Sequence, residues 1–240
     1  MFSKAAVKQN LGWEEGFRWR GKDVSRIEGF SDAVFGLAVT LLVISSEVPH
    51  TYPELVKLLW SFIPFAACFA QLMIVWFEHY KFYRRYGLQD IHTTMWSLVL
   101  LCIVLFYVYP LKFLFSSWML PDQYPTTAAD IPGLFTIYGV GFISVFLVFF
   151  FMYRRALSNA SELNLTEVEI WDTKHSIRET YINISVAVIS ITIANTLEPP
   201  WIILAGPIYS ICGFGAWWHG EWSSRKKKVI YSRGIVGTVE

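Results

Sequence analysis

The sequence predicts an all-α membrane protein of six transmembrane helices per chain, with both termini cytoplasmic. Three observations predict it. Of 240 residues 54% are hydrophobic and only 16% charged, against about 45–50% and roughly a quarter in an ordinary soluble domain. The charges gather between long runs that hold almost none, and the basic ones fall in alternate connections.

An apolar run of roughly 18–25 residues crosses the hydrocarbon layer as a helix, because only helices and closed barrels satisfy their backbone hydrogen bonds there. The first run is Ile27–Ser46 and the second Leu55–His79. The third is Met95–Leu120 and the fourth Ile131–Tyr153. The fifth is Tyr181–Thr196 and the sixth Trp201–Trp218. The fifth is the most polar, with Asn183, Ser185, Ser190, Thr192 and Asn195. Pro49, Pro53, Pro121, Pro125, Pro132, Pro199 and Pro200 punctuate the connections, as residues that cannot continue a helix do.

Orientation follows the lysines and arginines. With a cytoplasmic N-terminus, all but Lys57 and Lys112 of the 20 basic residues lie on the cytoplasmic side. Those two sit near the outer ends of their spans, where long side chains can snorkel outward. The opposite loops carry Glu47, Glu54, Asp122, Asp130 and Glu198 without a loop lysine or arginine, a balance that either enriches cations at that face or simply follows from the sorting of basic residues to the other side. Residues 156–180 read as a solvated cytoplasmic connector, either a loop or a surface helix, with Glu162, Glu167, Glu169 and Asp172. One domain is expected: a cytoplasmic arm at 1–25, a six-helix transmembrane domain at 26–222 and a basic cytoplasmic tail at 223–240.

The first 25 residues carry Lys4, Lys8, Glu14, Glu15, Arg18, Arg20, Lys22 and Asp23 and no apolar core. The first run is therefore expected to persist as a span and not to be removed as a signal peptide. Cys68, Cys102 and Cys212 lie inside apolar runs, without the pairing or short spacing of a disulfide or zinc framework, and are expected as small buried apolar residues. His50, His79, His92, His175 and His219 are scattered and form no H-E-x-x-H motif. No metal ligand set, cofactor, enzymatic chemistry or nucleic-acid partner is expected, and the bilayer is the medium.

Polar groups at membrane depth are costly and either pair or line a water path. The first span opens R-I-E-G-F-S-D, with Arg26, Glu28, Phe30, Ser31 and Asp32. The second closes W-F-E-H, with Trp76, Glu78 and His79. Because the two spans are antiparallel, these clusters reach the same depth. Two readings stand: a structural lock in which Ser31, Asp32, Trp76 and His79 satisfy one another, or an ion or proton site on Asp32 and His79 in a secondary transporter. Farther along, Leu37, Leu41 and Ile44 fall at i, i+4 and i+7 on one stripe, with Thr40 beside it. Periodicity does not tell whether that stripe faces lipid or an axis.

The R-x-x-x-F-S-D string at Arg26–Asp32, followed by W-x-x-H at Trp76–His79, resembles the transmembrane protein 175 family of potassium channels. The third span's Y-P-L-K-F-L-F, with Pro110 and Phe113, is loosely similar to a proline-containing segment of that family. One departure is Trp96, where relatives often have asparagine, so a network that relies on the amide must close differently. The resemblance implies a potassium-permeable cation channel whose pore is lined by the first helix. It implies a homotetramer of single six-helix units in the bacterial plasma membrane, with potassium as the permeant ion. It puts the constriction on Leu37, Leu41 and Ile44, cation preference on Thr40, and the helix-locking network on Arg26, Phe30, Ser31, Asp32, Trp76 and His79. Without a T-V-G-Y-G loop, only modest preference for potassium over sodium is expected.

Overall fold

A computed structural model describes residues 17–44, 48–197 and 201–209, and the regular elements among them are helices. The first helix, α1, spans Arg26–Ile44. Its start is set by a reciprocal cap. The Glu28 amide donates to Ser25 Oγ (3.3 Å), and the Ser25 amide donates to Glu28 Oε1 (2.9 Å). The S-x-x-E spacing thus satisfies two donors that a helix start leaves unpaired.

A short helix α2, Tyr52–Trp60, begins on the same kind of box, with Thr51 and Glu54. It runs through Ser61 into α3, Phe62–Tyr86, which ends on Gly87 in the left-handed region (φ 61°). The helix α4 spans Ile91–Met119 and continues through Pro110. α5 spans Ile131–Ser158 and α6 spans Glu167–Thr196, the latter opened by a Thr166/Glu169 box. Two 3₁₀ turns, Trp201–Ala205 and Pro207–Tyr209, follow.

Among the described residues, four helical segments are long and apolar enough to cross a bilayer: Tyr52–Tyr86, Ile91–Met119, Ile131–Ser158 and Glu167–Thr196. With 19 residues, α1 is about 28 Å long at 1.5 Å per residue, close to the roughly 30 Å hydrocarbon thickness. The chain is a multi-pass membrane protein.

α5 packs along α6 and against α4, and α1 lies against α4 and α3. The shared core takes Phe35, Ala38 and Leu42 from α1, Leu72 from α3, Leu100, Val104 and Leu111 from α4, and Phe149 and Met152 from α5. Gly141 lets α5 approach α4, since a Cβ there would stand 2.1 Å from the Tyr107 ring. Tyr107 in turn donates to the Tyr138 carbonyl at 2.8 Å.

Three expectations change. Residues 156–180 are not a solvated connector: α5 continues to Ser158, α6 starts at Glu167, and Glu169, Asp172, Thr173, His175 and Ser176 are buried. Their polarity is spent on partners, since Arg20 pairs with Glu169 and Arg85 with Asp172. Lys112, expected to reach outward to water, finds a partner within the protein. Its ammonium donates to the Leu42 carbonyl at 2.9 Å, placing a cation on the negative end of α1, where the helix dipole favours it. Cys68 is buried as expected, but Cys102 is exposed on α4. Half of the sixth run, residues 210–218, and all of the basic tail lie outside the described residues, as does Cys212.

Candidate functional site

α1 has two unlike faces. Ser31, Phe35, Ala38 and Leu42 recur at i, i+4, i+7 and i+11 and are buried against α3 and α4. Opposite them, Asp32, Ala33, Gly36, Leu37 and Thr40 are exposed. At about 100° per residue, Thr40 points almost directly away from the centre of the buried arc, whereas Leu41 stands at its flank. Accordingly Leu37 is 50% exposed, while Leu41 is half-buried and touches the core. The Ile44 side chain lies outside the described residues.

The outward face is open. A Cβ on Gly36 would meet nothing within 4 Å. The Thr40 hydroxyl donates to the Gly36 carbonyl at 2.9 Å. With its proton committed to the backbone, the oxygen keeps its acceptor lone pairs for whatever lies outside the helix.

The polar residues of α1 and α3 form two clusters in place of one. On the exposed side, Trp76 Nε1 donates to Asp32 Oδ1 at 2.7 Å, and Trp76 stacks on Tyr80 with ring centroids 5.7 Å apart. On the buried side, His79 Nε2 and the Tyr83 hydroxyl both meet Ser97 Oγ, at 3.3 and 2.8 Å. His79 is 2% exposed and Ser97 fully buried. The Phe35 ring of α1 packs at 6.2 Å from the His79 ring. Ser31 donates to the Ile27 carbonyl of its own helix at 2.7 Å. Asp32 and His79 are therefore not brought into one site, and the arrangement that a proton- or ion-coupled carrier would need on that pair is missing among the described residues.

Arg26 and Phe30 are exposed on α1. The ion pair that joins α1 to α3 is instead Arg84 with Glu28, at 3.0 Å and nearly buried. Sequence reading missed it, although the S-x-x-E box at Ser25–Glu28 was a signal. It also missed Ser97. Trp96, at the place where an amide was expected, stacks on Phe151 of α5 with centroids 4.5 Å apart and planes 9° apart. The adjacent serine hydroxyl closes the network from α4.

The family model described as endosomal/lysosomal potassium channel TMEM175 matches residues 26–110, the stretch that holds α1, α3 and most of α4. A protein of Marivirga tractuosa named "Potassium channel" is 41% identical over 217 residues, covering 83% of this chain and 87% of that protein. The chain belongs to the TMEM175 family.

Within that family, "Potassium channel Cha6605_3372" of Chamaesiphon minutus is 31% identical over 128 residues, 50% of this chain and 63% of that one. A crystal structure of the potassium channel MtTMEM175, a threonine-to-alanine variant in complex with a nanobody–MBP fusion protein, is similar in fold. Its TM-score is 0.77 at 36% identity, covering 90% of this chain and 100% of that chain. This TMEM175 protein is a potassium channel, and not an enzyme.

Proposed function

We propose that four copies of the chain assemble as a homotetramer with α1 of each at the axis. The carrying observation is the open face of α1. It presents Leu37, Gly36 and the Thr40 oxygen away from the core, while Ser31, Phe35, Ala38 and Leu42 anchor the opposite face. In this reading the chain has six spans with both termini cytoplasmic, in the plasma membrane of a bacterium. Residues 26–222 form the channel domain between a cytoplasmic arm at 1–25 and a basic cytoplasmic tail at 223–240. Leu37, Leu41 and Ile44 make the constriction, and Thr40 sets cation preference. Ser31, Asp32, Trp76 and His79, with the Arg84–Glu28 pair, keep the pore helix in its pose within one chain, and Arg26 and Phe30, exposed there, would do so only in the assembled channel.

A ring of leucine side chains passes ions when wide enough to hold water and stops them by dewetting when narrow. Removing water from sodium costs more than from potassium, and an apolar neck returns little of either cost. Four threonine oxygens, each with its proton donated inward to Gly36, return part of it to a partly dehydrated cation. Preference for potassium is then modest, and no resident cofactor takes part.

Leu37→Asn tests the neck. Purified channels in planar bilayers under a potassium gradient are expected to carry more current than the parent, because an amide ring stays wet. Equal currents would remove Leu37 from the constriction.

A further inference from the structure

The chain just ahead of α1 does not hang free. Phe17 is fully buried, with the Arg85 guanidinium 4.8 Å and the Arg20 guanidinium 5.8 Å from its ring centre, and the Tyr86 ring edge-on at 5.5 Å. Arg20 bonds Glu169 through both ends of its fork, at 3.0 and 2.7 Å, and donates Nε to the Leu163 carbonyl at 2.8 Å. The Arg18 amide adds a bond to Glu169 Oε1 at 2.8 Å.

The next residues pass over the end of α3. The amides of Arg20 and Gly21 both donate to the Arg84 carbonyl, at 3.1 and 3.2 Å. Arg84 Nη1 donates back to the Gly21 carbonyl at 2.8 Å, and its Nη2 to Glu28 of α1 at 3.0 Å. The crossing is tight enough that a Cβ on Gly21 would stand 2.3 Å from the Tyr83 carbonyl oxygen. Only Asp23, Val24 and Ser25 separate this strap from the first turn of α1.

From these contacts we infer that residues 17–22 are a strap that positions the cytoplasmic end of the pore helix, with Glu169 as its anchor on α6. The inference rests on the proposed role of α1. The strap ties α1 to α3 and α6 of its own chain, on the side away from its open face, and so draws that end of α1 outward from the axis. Releasing it lets the inner ends of four α1 helices settle toward one another, which lowers the open probability. Glu169 is 1% exposed and faces the strap, not the α1 surface, so the neck itself stays as it is.

The test uses the full-length channel reconstituted in liposomes, with Glu169→Gln and Phe17→Ala as separate variants and Arg20→Glu with Glu169→Arg as the charge-swapped pair. Trypsin cleavage within the arm reads strap release, and cross-linked tetramer yield and melting temperature read folding. Single-channel recording then separates open probability from unitary conductance and from the potassium-to-sodium permeability ratio. Each single change is expected to speed arm cleavage and lower open probability by at least about tenfold, since Glu169→Gln breaks a buried ion pair and Phe17→Ala removes a fully buried ring. Conductance and permeability ratio stay at parental values, and the swapped pair restores part of the loss. A released arm with open probability within about twofold of the parent overturns the inference; so does an arm that Glu169→Gln leaves protected. If Glu169→Gln does not assemble, Phe17→Ala, which keeps every charge, decides alone. Failure of α1 to line the pore is read separately, by thiol reagents acting on Leu37→Cys.

Discussion

Ser97→Ala is expected to cost far more than one methyl-sized change at a helix surface. Ser97 Oγ is the common partner of His79 Nε2 at 3.3 Å and of the Tyr83 hydroxyl at 2.8 Å. Both partners are buried, at 2% and 1% exposure. Removing the hydroxyl leaves two polar groups without that bond in a place that water does not reach. In soluble proteins each such group costs about 1–3 kcal/mol. Between membrane helices measured side-chain bonds average nearer 0.6 kcal/mol with a ceiling of about 1.7. Two groups therefore put the loss at roughly 2 kcal/mol, bracketed by about 1 and 3.5. Reversible unfolding of purified protein in mixed micelles measures it. Adding His79→Phe and Tyr83→Phe to Ser97→Ala removes the stranded groups and is expected to restore most of the stability, since replacing all partners by apolar groups is nearly neutral. A loss below about 0.5 kcal/mol for Ser97→Ala alone would refute the reasoning that this hydroxyl closes the network.

Thr40→Val keeps the shape and removes the oxygen, so the potassium-to-sodium permeability ratio is expected to fall; an unshifted reversal potential takes Thr40 out of the selectivity account. Gly141→Ala puts a Cβ 2.1 Å from the Tyr107 ring, forcing α4 and α5 apart, and a melting temperature equal to the parent's would contradict that contact. In the α3–α4 connection, burial raises the Asp90 carboxyl pKa, but Thr93 hydrogen bonds and the nearby Arg155 charge outweigh it and hold it below 3.8. A folded pKa below the unfolded one means that this contribution is present at neutral pH and is lost as the pH falls below 3.8. Asp90→Asn should therefore destabilise at pH 7 and cost progressively less as the pH falls through the titration of the carboxyl, and a loss that does not change with pH would overturn the assignment.

The spans were legible because burial in lipid leaves a plain mark: long runs without charge, divided by proline and basic clusters. α4 and α5 were read nearly to their ends for that reason. α6 was not. Its first 14 residues carry Glu169, Asp172, His175 and Glu179, and hydropathy cannot distinguish a solvated acid from one paired with an arginine more than 80 residues away in the chain, as Asp172 is with Arg85. The open face of α1 was half legible. Spacing put Leu37 and Leu41 on one stripe, but only the packing of Ser31, Phe35, Ala38 and Leu42 against α3 and α4 shows that Thr40 is turned farther outward than Leu41. The polar network was read as one cluster because sequence depth places Asp32 and His79 at a common level. Helix azimuth, which depth does not contain, sends one to Trp76 and the other to Ser97.

The central claim is that the open face of α1 borders the ion path. Single cysteines at Leu37, Thr40, Phe35 and Ala38, each in a background with Cys68, Cys102 and Cys212 replaced by alanine, test it most directly. A charged, membrane-impermeant thiol reagent is applied during bilayer recording. Rapid block at Leu37→Cys and Thr40→Cys, with none at Phe35→Cys or Ala38→Cys, is the expected result. Current untouched by modification at all four positions, with Leu37→Cys labelled instead by a lipid-soluble maleimide, would contradict it.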